Sequence, residues 1–254
     1  MANLENLKKD LAYAYRICAK HNFSEGVCNH LTVSFQHPQS KSNYGASLCI
    51  AHGFDWTEVT PESLVVFDNL TGEIIEGNGE VENSAFHIHS VIHRSIPEAK
   101  VIFHTHMPYA TALMSLAYPK NNNDNINCGN LQMINQNCMR YYNDISYDND
   151  YQGFVNDQKE GLRIAEMLGN KKILFMRNHG VLVTGKNIYE TWDDLYYLER
   201  ACMNQILALS TNKPLQIIPK EICEECKKQK DGNIYKYAKL HFESQIRLLS
   251  NSHL

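Results

Sequence analysis

Long apolar runs are missing from this sequence of 254 residues. None approaches the roughly twenty consecutive apolar residues that a membrane helix needs, so no membrane span is expected. Basic blocks are missing as well. Lys and Arg number 24 against 28 Asp and Glu, a net charge of −4. That excludes the clustered cationic footprint of a nucleic-acid or anionic-membrane binder. The first residues, MANLENLKKDLAYAY, carry acidic groups and place Leu4, Leu7 and Leu11 at helical spacing. They lack the apolar core of a secretory signal. A second CxxC is absent. Cys223 and Cys226 form a lone pair, whereas a zinc ribbon needs two pairs at matching spacing. The eight cysteines are scattered and read as reduced thiols, which fits a cytoplasmic protein. There is no P-loop to cradle a phosphate.

The apolar periodicities alternate between helix and strand. A helix is expected up to about residue 21, then strands at 30–35, 47–51 and 63–68. Asn69-Leu70-Thr71-Gly72 reads as a turn that returns residues 73–76 as a hairpin partner. Residues 84–96 read as a helix with Phe86, His89, Ile92, His93 and Ile96 on one face. A strand at 100–106 precedes Pro108, which suits the first turn of a helix placing Tyr109, Ala112, Leu113 and Leu116 on one side. The polar, Asn-rich segment Lys120 to Asn127 reads as a surface loop or insertion. A helix at 157–168 stops at Gly169. Strands at 173–176 and 181–184 flank a turn at 177–180. A long helix starts near Asn187, with Glu190 three residues on in a capping-box-like relation. Its expected buried stripe is Ile188, Trp192, Leu195, Cys202, Ile206 and Leu209. The lysine-rich tail from Lys213 is helical at best. Strands interleaved with helices imply a central sheet covered by helices.

The informative stretch is Val101-Ile102-Phe103-His104-Thr105-His106-Met107-Pro108. Alternation along a strand puts His104 and His106 on one face, with Val101, Phe103 and Thr105 on the other. Two imidazoles about 6–7 Å apart along a strand can converge on one ion. They stand at the strand's C-terminal end, where α/β proteins tend to open a crevice. His179, at the tip of the apolar hairpin in Asn178-His179-Gly180, is the best third candidate. Glycine there permits close backbone approach. Three neutral imidazoles with an open position describe a catalytic zinc site, able to polarise a carbonyl oxygen. Two packed histidines and an ordinary turn account for the spacing equally well.

Both segments, FHIHSVIHRSIPEAKVIFHTHMPYATAL and ILFMRNHGVLVTGKNIYETWDDLYYLERACMNQILAL, resemble the class II aldolase/adducin family in order and spacing. The resemblance extends from about residue 5 to residue 212, which suggests one domain over 1–212 and a C-terminal helical extension over 213–254. It implies a three-layer α/β/α sandwich around a mainly antiparallel sheet. It implies that His104, His106 and His179 bind Zn2+ or another divalent transition metal. It also implies a homotetramer and a small-molecule substrate, a hydroxy-carbonyl or sugar-phosphate compound that is cleaved, epimerised or dehydrated. The family's phosphate-holding pairs correspond to Asn29-His30, His52-Gly53 and Asn83-Ser84 here, of which Asn29, Gly53 and Ser84 are the candidate substrate contacts. The family's acid/base glutamate corresponds to Ala85, and alanine moves no proton. Glu82, His87 and His89 are the nearby alternatives, with Glu82 the candidate acid/base.

Loss of that carboxylate resembles the adducin-like branch, whose members act on actin and spectrin partly through a long neck and basic tail. No such tail follows here, so the chain resembles a stand-alone head domain. Two functions are therefore expected in competition: a metal-dependent lyase, or a non-catalytic protein with cytoskeletal partners. Tyrosines 141, 142 and 147 are expected mainly as packing, Trp192 as core, and Glu199 as a solvated or capping charge.

Overall fold

A computed structural model of the chain describes residues 4–117, 129–232 and 234–250. The Asn-rich segment from Lys120 to Asn127 lies outside the described residues. Eight strands form one sheet in the order β4-β3-β2-β1-β5-β8-β7-β6. They are β1 (His30–Phe35), β2 (Ala46–Ile50), β3 (Leu64–Asp68), β4 (Ile74–Glu76), β5 (Val101–Thr105), β6 (Ile145–Asp148), β7 (Ile173–Met176) and β8 (Gly180–Gly185). Every neighbouring pair is antiparallel except β6 and β7.

Side-chain alternation on the central strands divides the core in two. Leu31 and Val33 of β1 and Val101 and Phe103 of β5 face one side. There they pack on α1 (Leu4–Lys20), α4 (Pro108–Met114) and α7 (Ile188–Leu209). Ile102 of β5, Leu174 of β7 and Leu182 of β8 face the other side. Their cover is the helical stretch 83–95 and α6 (Gln158–Leu168). The result is an α/β/α sandwich with a mostly antiparallel sheet. Seven of the strands lie within a residue or so of their expected bounds; β6, paired parallel to β7, is not among those expected.

Capping sets the helix ends as the sequence implies. Asp157 accepts from the Glu160 N–H to start α6, and Gly169, with φ +56°, ends it. Asn187 accepts from the Glu190 N–H, and its amide donates to the Glu190 carboxylate. Tyr15 of α1 ties helix to sheet. Its hydroxyl donates to the Leu31 carbonyl at 2.7 Å and accepts from the Leu31 and Ile50 N–H groups at 2.9 and 3.2 Å. The short α5 (Gln136–Met139) precedes β6, and α8 (Lys220–Asp231) and α9 (Ile234–Ser250) follow α7. Phe242 of α9 is buried in the main core, 5.9 Å from the Trp192 ring.

Three local expectations are corrected. The helix at 84–96 is not one regular helix: α2 (Asn83–Ala85), a π-turn over Phe86–Ser90 and α3 (Val91–Ser95) follow one another. The extra residue of the π-turn shifts the periodicity, so Phe86 packs on Phe67 rather than beside His89. On α4 the buried residues are Ala110, Leu113 and Met114, while Ala112 and Leu116 are exposed. Glu199 is not solvated. It is 5% exposed, and its two carboxylate oxygens accept the Tyr109 and Ala110 N–H groups at the start of α4. The capping part of the expectation holds, with the cap supplied from another helix.

Candidate metal centre

β5 lies in the middle of the sheet, between β1 and β8. Its register sets His104 opposite His30 of β1 and opposite Leu182 of β8. The β7–β8 hairpin turns at Asn178, which holds φ +56°, and lifts His179 toward the end of β5. Gly180 makes this approach possible. A Cβ there would stand 2.6 Å from the His106 ring and 2.6 Å from the Thr105 carbonyl oxygen.

His104, His106 and His179 converge. Their ligand atoms all lie within 4.8 Å of one another, and among the described residues theirs is the one such three-ligand group. The His104–His179 and His106–His179 ring centroids are 4.9 and 4.8 Å apart. The hydrogen bonds behind the rings fix which nitrogen is available. His104 Nδ1 is 3.1 Å from the Val181 carbonyl oxygen, which can only accept. Nδ1 therefore carries the hydrogen, and Nε2 keeps its lone pair. His106 Nδ1 donates to Glu25 Oε2 at 3.3 Å, and its Nε2 is buried with no hydrogen-bond partner. Donation of the far ring N–H to a carbonyl or carboxylate is how metal-ligating histidines are held.

The rings are also kept neutral, as ligands must be. Burial lowers the pKa of His104 far below the usual value, aided by the neighbouring His179. Burial, with His106 nearby, lowers His179 to about 4. His106 is lowered by burial as well, against the opposing pull of Glu25. The orphaned His106 Nε2 and the all-imidazole donor set fit a divalent ion with a position left open.

The three histidines line a cavity of about 590 Å³, together with Asn29, His30, His52, Glu82, Ser84 and Tyr151. Asn29 and Ser84 thus fall where a substrate contact would. Gly53 does not line the cavity; it follows His52 with φ +97°. Ala85 is 1% exposed and packed in the core, so nothing at that position can act as an acid or base. Glu82 caps α2: its Oε2 accepts from the Ala85 N–H at 2.9 Å and from the Ser84 hydroxyl. It also lies 3.6 Å from His30 Nε2. Burial raises the Glu82 carboxyl, but bonding to Ser84 and the nearness of His30 outweigh this and hold it below its ordinary value.

Behind this wall runs a set of buried imidazoles. His30 Nδ1 meets His89 Nε2 at 2.9 Å, and Thr32 Oγ1 meets His89 Nδ1 at 2.7 Å and His93 Nε2 at 2.8 Å. His89 is therefore a hydrogen-bonded interior residue. His87 is half-buried, its Nδ1 without a hydrogen-bond partner. Tyr141 donates to the Asp194 carbonyl and Tyr147 stacks on Phe175, both as packing. Tyr151 instead has its ring 6.0 Å from His179. Glu25 escaped the sequence reading, whereas of the His52-Gly53 pair it is His52 that reaches the cavity. Glu25 sits in a loop 81 residues from its partner His106, and no local pattern marks it.

The sequence and the fold match known proteins. The family model described as Class II Aldolase and Adducin N-terminal domain matches residues 9–206, and the chain belongs to that family. An aldolase class 2 protein of Caulobacter vibrioides is 30% identical over 222 residues, 87% of this chain and 79% of its own length. Alpha-adducin of Mus musculus is 30% identical over 209 residues, 81% of this chain but 26% of the adducin. Among solved structures, an aldolase II superfamily protein from Pseudomonas syringae superimposes with a TM-score of 0.84 at 26% identity, covering 99% of this chain and 95% of that one. An L-fuculose 1-phosphate aldolase from Glaciozyma antarctica PI12 gives 0.81 at 26% identity, covering 98% and 94%.

Proposed function

We propose that the chain is a metal-dependent carbon–carbon lyase, or the related epimerase or dehydratase, acting on a small hydroxy-carbonyl compound. The observation that carries this reading is the convergence of three neutral imidazoles on one cavity, with the Nε2 of His106 otherwise orphaned. His104, His106 and His179 would hold the ion, and an all-imidazole set favours Zn2+. Bound there, it supplies Lewis-acid polarisation of a substrate oxygen. The chain's own residues do the rest. The Val181 carbonyl and Glu25 orient two of the rings. Asn29 and Ser84 offer hydrogen bonds to substrate hydroxyls. Glu82, across the cavity, takes and returns the substrate proton that Ala85 cannot. A sugar phosphate is the less favoured substrate: Gly53 points to no cavity contact and no lysine clamp is present among the lining residues. The family resemblance supports a homotetramer in the cytoplasm, with residues 213–254 as an extension of the same domain.

The test is zinc content per subunit, by elemental analysis, followed by a turnover screen with small hydroxy-carbonyl compounds and sugar phosphates. We expect a value near one, lost in His104→Ala. Any turnover found should fall by about 10²–10⁴ in Glu82→Gln, the usual share of an acid/base group, with zinc retained. Failure to bind zinc when it is offered would end the lyase reading.

One observation favours a second reading. The buried alanine at position 85 fits a non-catalytic, adducin-head-like protein with actin or other cytoskeletal partners. Co-sedimentation with filamentous actin, in a protein without turnover, would support it.

A further inference from the structure

The buried imidazoles behind the cavity make a chain whose direction can be worked out hydrogen by hydrogen. It begins at the Ala99 carbonyl, which can only accept. His93 Nδ1 lies 2.6 Å from that oxygen and must carry a hydrogen. A neutral His93 then has its lone pair on Nε2, which faces Thr32 Oγ1 at 2.8 Å. The Thr32 hydroxyl has one hydrogen, and His93 takes it. Thr32 Oγ1 must therefore accept from His89 Nδ1, 2.7 Å away. That leaves the His89 lone pair on Nε2, facing His30 Nδ1 at 2.9 Å, which must donate. A neutral His30 thus ends the chain with a lone pair on Nε2, 3.1 Å from Ser84 Oγ. Burial keeps His89 and His93 neutral, His93 being lowered to about 4.

The fold builds this row deliberately from three elements. His30 and Thr32 alternate onto the same face of β1. His89 and His93 come from the π-turn and α3 above that face, and π-turns tend to occur at functional sites. Ala99 precedes β5. Ser84 then stands between two acceptors, His30 Nε2 and Glu82 Oε2, with a single hydrogen to give.

We infer that His93, Thr32, His89 and His30 form a positioning chain of one fixed direction. It holds the His30 Nε2 lone pair against Ser84, and so supports Glu82 as the acid/base group in place of position 85. The link to Glu82 rests on the lyase reading above; the chain itself rests on hydrogen bonding alone. When Glu82 accepts a substrate proton, Ser84 no longer needs to donate to it. The Ser84 hydroxyl turns to His30, and the new Glu82 O–H donates to Ser84 Oγ. With Glu82 ionised the His30 Nε2 lone pair waits without a donor; with Glu82 protonated it receives the Ser84 hydrogen, and the proton returns to substrate by the reverse rotation. Thr32, His89 and His93 touch no substrate.

The test is tautomer assignment by long-range 1H–15N spectra of the full-length, 15N-labelled chain at neutral pH, with resonances assigned from single histidine-to-glutamine variants. We expect His89 and His93 as the Nδ1–H tautomer, the minority form of free imidazole. Thr32→Val removes the one hydroxyl that sets the direction. His93 should then keep Nδ1–H through Ala99, while His89 loses it. Thr32→Ser should restore the wild-type pattern. His89 found as Nε2–H in the wild type, or unchanged in Thr32→Val, overturns the chain. In a turning-over preparation, Thr32→Val should lower kcat by about tenfold or more, part of the ~10²–10⁴ an acid/base group contributes, at unchanged KM and zinc content. The expected tautomers without any turnover would refute the lyase reading and leave the chain standing. Turnover with an unaffected kcat in Thr32→Val would sever the chain from Glu82.

Discussion

The His106 ring and the α-carbon of Gly180 are packed so closely that a methyl group on Gly180 would stand 2.6 Å from the ring. The same methyl would press on the Thr105 carbonyl, and backbone cannot swing aside. Gly180→Ala is therefore expected to push His106 out of line with His179. Overpacking of this kind costs about 1–3 kcal/mol. Zinc affinity, measured by chelator competition, should fall along with the unfolding midpoint. A variant that keeps both would show that the hairpin has slack the geometry does not suggest.

Glu25 orients His106 from outside the cavity. Carboxylates in this role usually change metal affinity by about 10–100-fold when removed. The Glu25 side chain is 64% exposed, so water can replace part of its function and the lower end applies. Glu25→Ala should weaken zinc binding about tenfold without moving the melting temperature. An unchanged dissociation constant would rule out Glu25 as the group that sets the His106 tautomer.

Tyr15 carries three backbone partners on one hydroxyl, and Leu31, which supplies two of them, lies between His30 and Thr32. Tyr15→Phe would leave those buried groups without partners, at a cost on the order of 3 kcal/mol. Urea unfolding would read this directly. A loss below about 0.5 kcal/mol would mean that water reaches the space the hydroxyl leaves.

Burial raises the Glu199 carboxyl from its ordinary 4.5 to about 7, against the opposing Tyr109 and Ala110 N–H donors. Between these two values the folded chain holds a proton that the unfolded chain has released. Stability therefore falls as pH rises through that window, and above it the whole cost is in place. Glu199→Gln stays neutral and should flatten this dependence. Compared at pH 5 and pH 7.5 by urea unfolding, the wild type should lose on the order of 3 kcal/mol relative to the variant. Parallel slopes would mean that Glu199 is ionised throughout.

The histidines were legible because a strand has only two faces. Once residues 100–106 read as a strand, His104 and His106 must share one, and the glycine after His179 announces a close approach. The starts of α6 and α7 were legible from Asp157 and Asn187 for the same local reason. Other features depend on partners far away in sequence. Glu199 looks like any helical charge until α4 is laid across it. The hydrogen bonds of Thr32 require α3 above β1. The burial of α4 follows its neighbours, so Leu116, apolar and correctly spaced, still faces solvent.

The π-turn at Phe86–Ser90 has a consequence for how this segment tolerates change in length. It accommodates one residue more than α-helical winding would, and each helical residue is worth about 100° of rotation. Deleting a single residue there would cost the helix nothing in hydrogen bonding and would let it wind regularly. Because the wide turn absorbs that residue, the segments on either side would keep nearly their present phase, and Glu82 and His93 would both still face β1. The change would fall inside the turn itself, on His87 and His89. The segment therefore behaves as a slack loop of helix, in which a one-residue gap disturbs the interior imidazole and spares the cavity wall.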